Sequence, residues 1–157
     1  SASGNAQFVL GALKCAYEEG AFTSLLTFNN IKTEKFINRI LSIIVGPEII
    51  SGSTRMKSGT ATKMILNMIS TTSLIKSNKI YKNYMVDLKV NNEKLKNRAV
   101  CIIKDICKLS TKNAALLLLK ANNDVKVAIV MFFLKANRQQ ANNELIKTNG
   151  NLRKIIE

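Results

Sequence analysis

The chain has 157 residues, 46% of them hydrophobic, and its 24 Lys and Arg against 10 Asp and Glu give a formal net charge of +14. That is enough apolar material for one domain or one and a half with a real core. No apolar run approaches the ~18–20 residues of a membrane span, so the expectation is a soluble, cytoplasmic protein with no membrane partner. Histidine is absent, which removes Ser-His and Cys-His nucleophilic pairs and the commonest metal ligand. Cys15, Cys101 and Cys107 form no CxxC pair and read as reduced core thiols rather than as disulfide or zinc ligands. The lysines are scattered, with no dense block and no aromatic platform between them. The charge therefore does not call for a nucleic-acid partner.

Small residues, Ser1 to Asn5, lead straight into a helical pattern with Phe8, Val9, Ala12, Leu13, Ala16 and Tyr17 at spacings of three and four. Gly20 suits the position just past the helix end. Phe22–Phe28 (FTSLLTF) reads as a buried strand closed by Asn29-Asn30, Glu34–Asn38 as a short helical turn, and Leu41–Val45 as a second strand. Helix, strand, short helix, strand implies a parallel sheet, with ligands held beyond the carboxyl ends of its strands.

The second strand stops at Gly46-Pro47. A loop with Ser51, Ser53, Thr54, Arg55 and Lys57 follows, and a helix opens near Ser58-Gly59-Thr60. Small residues let backbone N–H groups approach a ligand, and a helix N-terminus presents unpaired donors. Arg55 brings a planar fork and Lys57 a point charge. The loop reads equally as an anion cradle or as a capped surface loop with two solvated cations. The helix from Thr60 to Asn78 carries Met64, Ile65, Met68, Ile69, Thr72 and Ile75 on one broad face, read as core. Tyr84–Val90 alternates in the manner of an extended segment. Its Asp87 reads as an exposed or capping carboxylate, with orientation of a substrate or cation as the alternative. Asn91-Asn92-Glu93 then opens a helix with Leu95, Ala99, Ile102, Ile103 and Ile106. Ser110 or Thr111 caps the next (Ala114–Lys120), Val125–Leu134 forms another, and Asn137 starts a last short one, stopped at Asn149-Gly150.

The run GPE, GSTRMKSGTA-K and LNMIST within residues 45–72, with YKNYMVDLKVNNEKLKNRA and NNDVKVAIVM downstream, resembles the N-acetylmuramic acid 6-phosphate etherases. These are similar to the glucokinase regulatory proteins and belong to the sugar isomerase (SIS) superfamily. The resemblance implies an α/β fold: residues 1–79 as the C-terminal part of a SIS-type three-layer αβα parallel sheet, lacking its first strands. An all-helical subdomain would follow over residues 80–157, with a UBA-like three-helix unit at about 110–150. It implies cleavage of a lactyl ether on a phosphorylated sugar, no cofactor and no metal, and a homodimer whose sites are shared between subunits.

By position in the matching motifs, Ser53, Thr54, Arg55 and Lys57 would line the sugar-phosphate site, with Ser3 and Gly4 at the phosphate. Glu48 would either touch substrate or bond loop amides. Ser1–Ala6 resembles the SIS phosphate loop, but Asn5 stands where the family has an arginine and Ala6 where it has a threonine. The family's catalytic glutamates lie upstream of that loop and have no counterpart here, so no catalytic residue is assigned. A non-catalytic sugar-phosphate-binding regulatory module is the alternative reading.

Overall fold

The computed structural model describes residues 1–157, which divide into two compact units, Ser1–Ile69 and Ser70–Glu157. The fold is mixed α/β, with a small parallel sheet and several helices. No helix is long and apolar enough to cross a membrane.

In the first unit, α1 (Gln7–Glu18) is followed by β1 (Ser24–Thr27) and β2 (Arg39–Ser42), paired parallel with Leu25 opposite Ile40 and Thr27 opposite Ser42. Both strands are shorter than the apolar runs that announce them. Thr23 sets their common start. Its amide and its hydroxyl both donate to Asn38 Oδ1 (2.8 and 2.9 Å), the hydroxyl also lies 2.7 Å from Phe36 O, and Asn38 N donates back to it (3.1 Å). This network limits the short helical turn expected over Glu34–Asn38. Only a single turn forms there, closed by Ile37 N to Glu34 O, because the Asn38 side chain and the Phe36 carbonyl are engaged by Thr23. The core of this unit is small: Leu25, Thr27, Phe28 and Ile37 are buried. On α1, Val9, Leu10, Leu13 and Ala16 are half-buried while Phe8 and Tyr17 are exposed, so the inward stripe is narrower than the sequence spacing suggests.

The helix α2 (Lys57–Lys76) begins three residues before its expected start and overruns the boundary between the units. Its methionine stripe is not core. Met64 and Met68 are 58% and 57% exposed, Ile69 and Ile75 about as much, and Ser58 is the helix's one buried residue. Apolar residues occupy positions 64, 65, 66, 68 and 69, most of the way round the helix. A helix so apolar needs protein on several sides to bury it, and a two-stranded sheet is too small for that.

In the second unit, β3 (Ile80–Tyr81) and β4 (Tyr84–Met85) form a hairpin about Lys82-Asn83. The chain then runs extended to Val90 with the expected alternation: Val86 is buried, Leu88 and Val90 are half-buried, and Asp87 and Lys89 point outward. Asp87 is paired with Lys79 (3.3 Å) and Lys126 (3.7 Å). It thereby fastens the extended segment to the helix that carries Lys126. Four helices follow: α3 (Glu93–Cys107), α4 (Thr111–Lys120), α5 (Val125–Leu134) and α6 (Arg138–Lys147). Their N-caps are Asn92, Ser110, Asp124 and Asn137, each side chain accepting from the amide three residues on. A short α7 (Arg153–Ile156), absent from the sequence reading, closes the chain.

The central helix is α5, which packs against α3, α4, α6 and α7. Alanines with no exposed surface, Ala99, Ala114, Ala128 and Ala141, let the helices approach closely, and Ile102, Ile103, Leu118, Ile129 and Val130 fill the space between them. Each of these larger side chains contributes about 1.5–3 kcal/mol by burial. Of the three thiols expected in the core only Cys107 is there; Cys15 and Cys101 are exposed because they fall on the outward faces of α1 and α3. Burial pushes the Cys107 thiol up to about 11.

Candidate sugar-phosphate site

Two loops meet the carboxyl end of the β1–β2 pair. The first, Ser1–Ala6, is tied down through one carbonyl. Ala2 O accepts from Phe28 N (3.0 Å), Thr27 Oγ1 (3.2 Å) and Asn29 Nδ2 (3.1 Å). Gly4 turns the chain with φ +82°, and a Cβ at this position would lie 2.5 Å from Ile31 Cγ2 and 3.1 Å from Thr27 Oγ1. Only glycine fits such a position without strain. Beyond the turn, Gly4 N and Ala6 N converge on Ser1 Oγ (3.2 and 3.4 Å), and Asn5 N points at Ser3 Oγ (3.3 Å). This is a shallow nest of amides filled by the loop's own hydroxyls.

The second loop, Gly46–Met56, is closed at its base. Glu48 reaches the start of α2, its Oε2 accepting from Lys57 N (3.1 Å) and its Oε1 from Ser58 N (3.0 Å), while Lys57 Nζ donates to Pro47 O (2.7 Å). These contacts account for the early start of α2. The Ser58 amide, then the Lys57 amide, hold the Glu48 carboxyl below its ordinary value. Glu48 thus engages the loop amides, one of the two roles open to it from the sequence.

A cleft of about 310 Å³ opens between the loops, lined by Ala2, Phe28, Asn29, Val45, by Gly46–Glu48, Ser51, Gly52 and Thr54 of the second loop, and by Ser58 of α2. Thr54 and Glu48 are therefore on its wall. Gly4 lines a neighbouring cleft of about 300 Å³ with Asn5, Asn30, Ile31 and Lys32. Ser3, Arg55 and Lys57 are exposed and Ser53 is half-buried; none of them lines either cleft. Arg55 makes no ion pair and keeps its donors free. Asn29, Ser51 and Gly52 are wall residues that the site reading omitted. The position of Asn29 just after β1, at the ligand-bearing edge of a parallel sheet, was the signal for it. No group of three potential metal ligands occurs anywhere in the chain.

Two comparisons bear on this geometry. Residues 82–128 match the family described as the C-terminal lid domain of glucokinase regulatory protein. Over 157 residues, 99% of this chain, it is 45% identical to N-acetylmuramic acid 6-phosphate etherase 1 of Bacillus licheniformis. The chain is similar in sequence to the N-acetylmuramic acid 6-phosphate etherases. The etherase of Bacillus subtilis is 45% identical and that of Staphylococcus saprophyticus 43%, each over the whole of this chain. The chain spans about half the length of these etherases, 52% to 54%. The whole-length match includes both loops that border the cleft.

Proposed function

We propose that this chain is part of an N-acetylmuramic acid 6-phosphate etherase and supplies its sugar-phosphate-binding loops. The observation that carries the reading is 41–45% identity to etherases along the entire chain, including the GSTRMKSGTA loop that borders the cleft. In this reading the two parallel strands belong to a SIS-type three-layer αβα sheet over residues 1–79. Residues 80–157 form the helical subdomain, with a UBA-like unit at about 110–150. Two copies pair as a homodimer in the cytoplasm.

The reaction is elimination followed by hydration. A base removes the proton beside the ring-opened aldehyde, the lactyl oxygen leaves with its bonding electrons as D-lactate, and water adds across the alkene to give N-acetylglucosamine 6-phosphate. The residues of this chain bind and orient. Thr54 and Ser53 offer hydroxyls to the sugar, Arg55 and Lys57 offer charge, and the Ser3-Gly4 turn offers amides to the phosphate once the neutral Ser1 and Ser3 hydroxyls that accept from them rotate aside. The one carboxylate on the wall of the 310 Å³ cleft, Glu48, is engaged by two amides, so the acid and base come from elsewhere in the active protein. That same observation supports the second reading, a non-catalytic sugar-phosphate-binding regulatory module.

The deciding assay is D-lactate release from N-acetylmuramic acid 6-phosphate by the protein as its source cells make it. Release is expected. Sugar-phosphate binding without release would favour the regulatory module, and neither binding nor release would refute both.

A further inference from the structure

The N-terminus of α2 faces the cleft region already carrying an anion. Glu48 bonds the amides of Lys57 and Ser58 at 3.1 and 3.0 Å, and Lys57 Nζ returns the connection to Pro47 O at 2.7 Å. The loop is therefore stapled in both directions, carboxylate to helix and ammonium to loop. Between the staples Ser53 N donates to Ile50 O (3.0 Å), and Ser51, Gly52 and Thr54 face the cleft. Ser58, at the joint, is buried. A phosphate entering these amides would have to displace a carboxylate held on the same chain, whose effective concentration is of millimolar order or higher. A phosphate that left Glu48 in place would lie against a like charge.

Building on the proposed sugar-phosphate site, we infer that Glu48 is a positioning residue: an internal anion that closes the α2 N-terminus to phosphate and fixes Ser51–Thr54 as a wall for the uncharged part of the ligand. The phosphate is then left to the free Arg55 guanidinium and the Ser3-Gly4 turn. Selectivity follows from this division. The Glu48-filled end turns the ligand's anionic groups, phosphate and lactyl carboxylate alike, away from the α2 N-terminus, and the hydroxyl-bearing wall accepts sugar hydroxyls.

The test is residue-resolved hydrogen exchange at the Lys57 and Ser58 amides in the wild-type chain, Glu48→Gln and Glu48→Ala, with no ligand, with inorganic phosphate and with N-acetylglucosamine 6-phosphate. In the ligand-free wild type both amides are protected, and the protection fades as pH falls through the Glu48 titration. Loss of a charge-assisted bond in Glu48→Gln speeds their exchange roughly tenfold. Neither phosphate nor the sugar phosphate alters them in the wild type. In Glu48→Ala inorganic phosphate restores protection by taking the vacated place, a rescue that a merely structural side chain would not permit. Equal exchange in wild type and Glu48→Gln overturns the staple. Wild-type protection that changes on adding phosphate overturns the exclusion. If the staple behaves as stated but the sugar phosphate perturbs no residue, the proposed function fails and the role of Glu48 in closing the loop stands. Should Glu48→Ala not fold, the exchange difference between wild type and the near-isosteric Glu48→Gln decides the staple, and the wild-type response to phosphate decides the exclusion.

Discussion

Gly4→Ala probes the first loop most sharply. At φ +82° an alanine pays for a backbone that L-residues avoid, about 1–2 kcal/mol. Its methyl would also stand 2.5 Å from Ile31 Cγ2 and 3.1 Å from Thr27 Oγ1, an overpacking worth about 1–3 kcal/mol. Thr27 cannot yield freely, since it is buried and its hydroxyl donates to Ala2 O. Together the two effects amount to about 2–5 kcal/mol. With a urea m-value of about 1–3 kcal/mol/M, the midpoint for the Ser1–Ile69 unit should fall by about 0.7–5 M. Urea unfolding followed by far-UV circular dichroism measures the midpoint, and exchange at the Phe28 amide, which bonds Ala2 O, reports whether the loop has detached. An unchanged midpoint together with a protected Phe28 amide would refute the assigned turn.

Ile103 has no exposed surface, so Ile103→Ala should cost about 2–5 kcal/mol, seen as a lower thermal midpoint of the Ser70–Glu157 unit; a loss under about 1 kcal/mol would contradict the packing of α3 on α5. Of the three thiols, Cys15 and Cys101 should react with a thiol reagent at pH 8 in the native protein. Cys107, buried and pushed up to about 11, should react only in denaturant, and three fast equivalents would be the wrong answer. The folded Glu48 carboxyl binds its proton less readily than the unfolded one at 4.5. Its stabilisation is therefore fully present above that pH and is lost as pH falls through the lower folded value; Glu48→Gln should show a flatter stability profile in that acid window.

The helical unit was legible because local chemistry and global packing agree there. Ser110 and Asn137 are read as helix starts and their side chains do cap. Residues 125–134 are apolar except for Lys126, and their Val125 and Val127–Val130 form the buried centre, with bounds matching the sequence reading. The alternation through Val86, Leu88 and Val90 survives although only Tyr84–Met85 is paired, since burial sets the alternation whether or not a partner strand is present. The first unit is less legible. Its apolar runs extend past strands that Thr23 and Asn38 delimit through side-chain bonds, which no periodicity reveals. The apolar face of α2 carries the pattern of a buried helix without the surroundings that bury one. In the loop, the family resemblance named Thr54 and Glu48, both of which line the cleft, but the sequence could not show that Glu48 turns back on Lys57 and Ser58, a contact across nine and ten residues.

The central claim is that the loops at the carboxyl edge of the parallel pair bind a sugar phosphate. The most direct measurement is an amide chemical-shift titration of this chain with N-acetylglucosamine 6-phosphate, repeated on Arg55→Ala. Saturable shifts confined to Gly4, Asn5, Gly52 and Thr54–Arg55 are predicted. Loss of the charge-assisted bonds of Arg55, worth roughly 1.5–3 kcal/mol, should weaken affinity by one to two decades in the variant. Shifts confined to residues 80–157, or an Arg55→Ala curve that overlays the wild type, would contradict it.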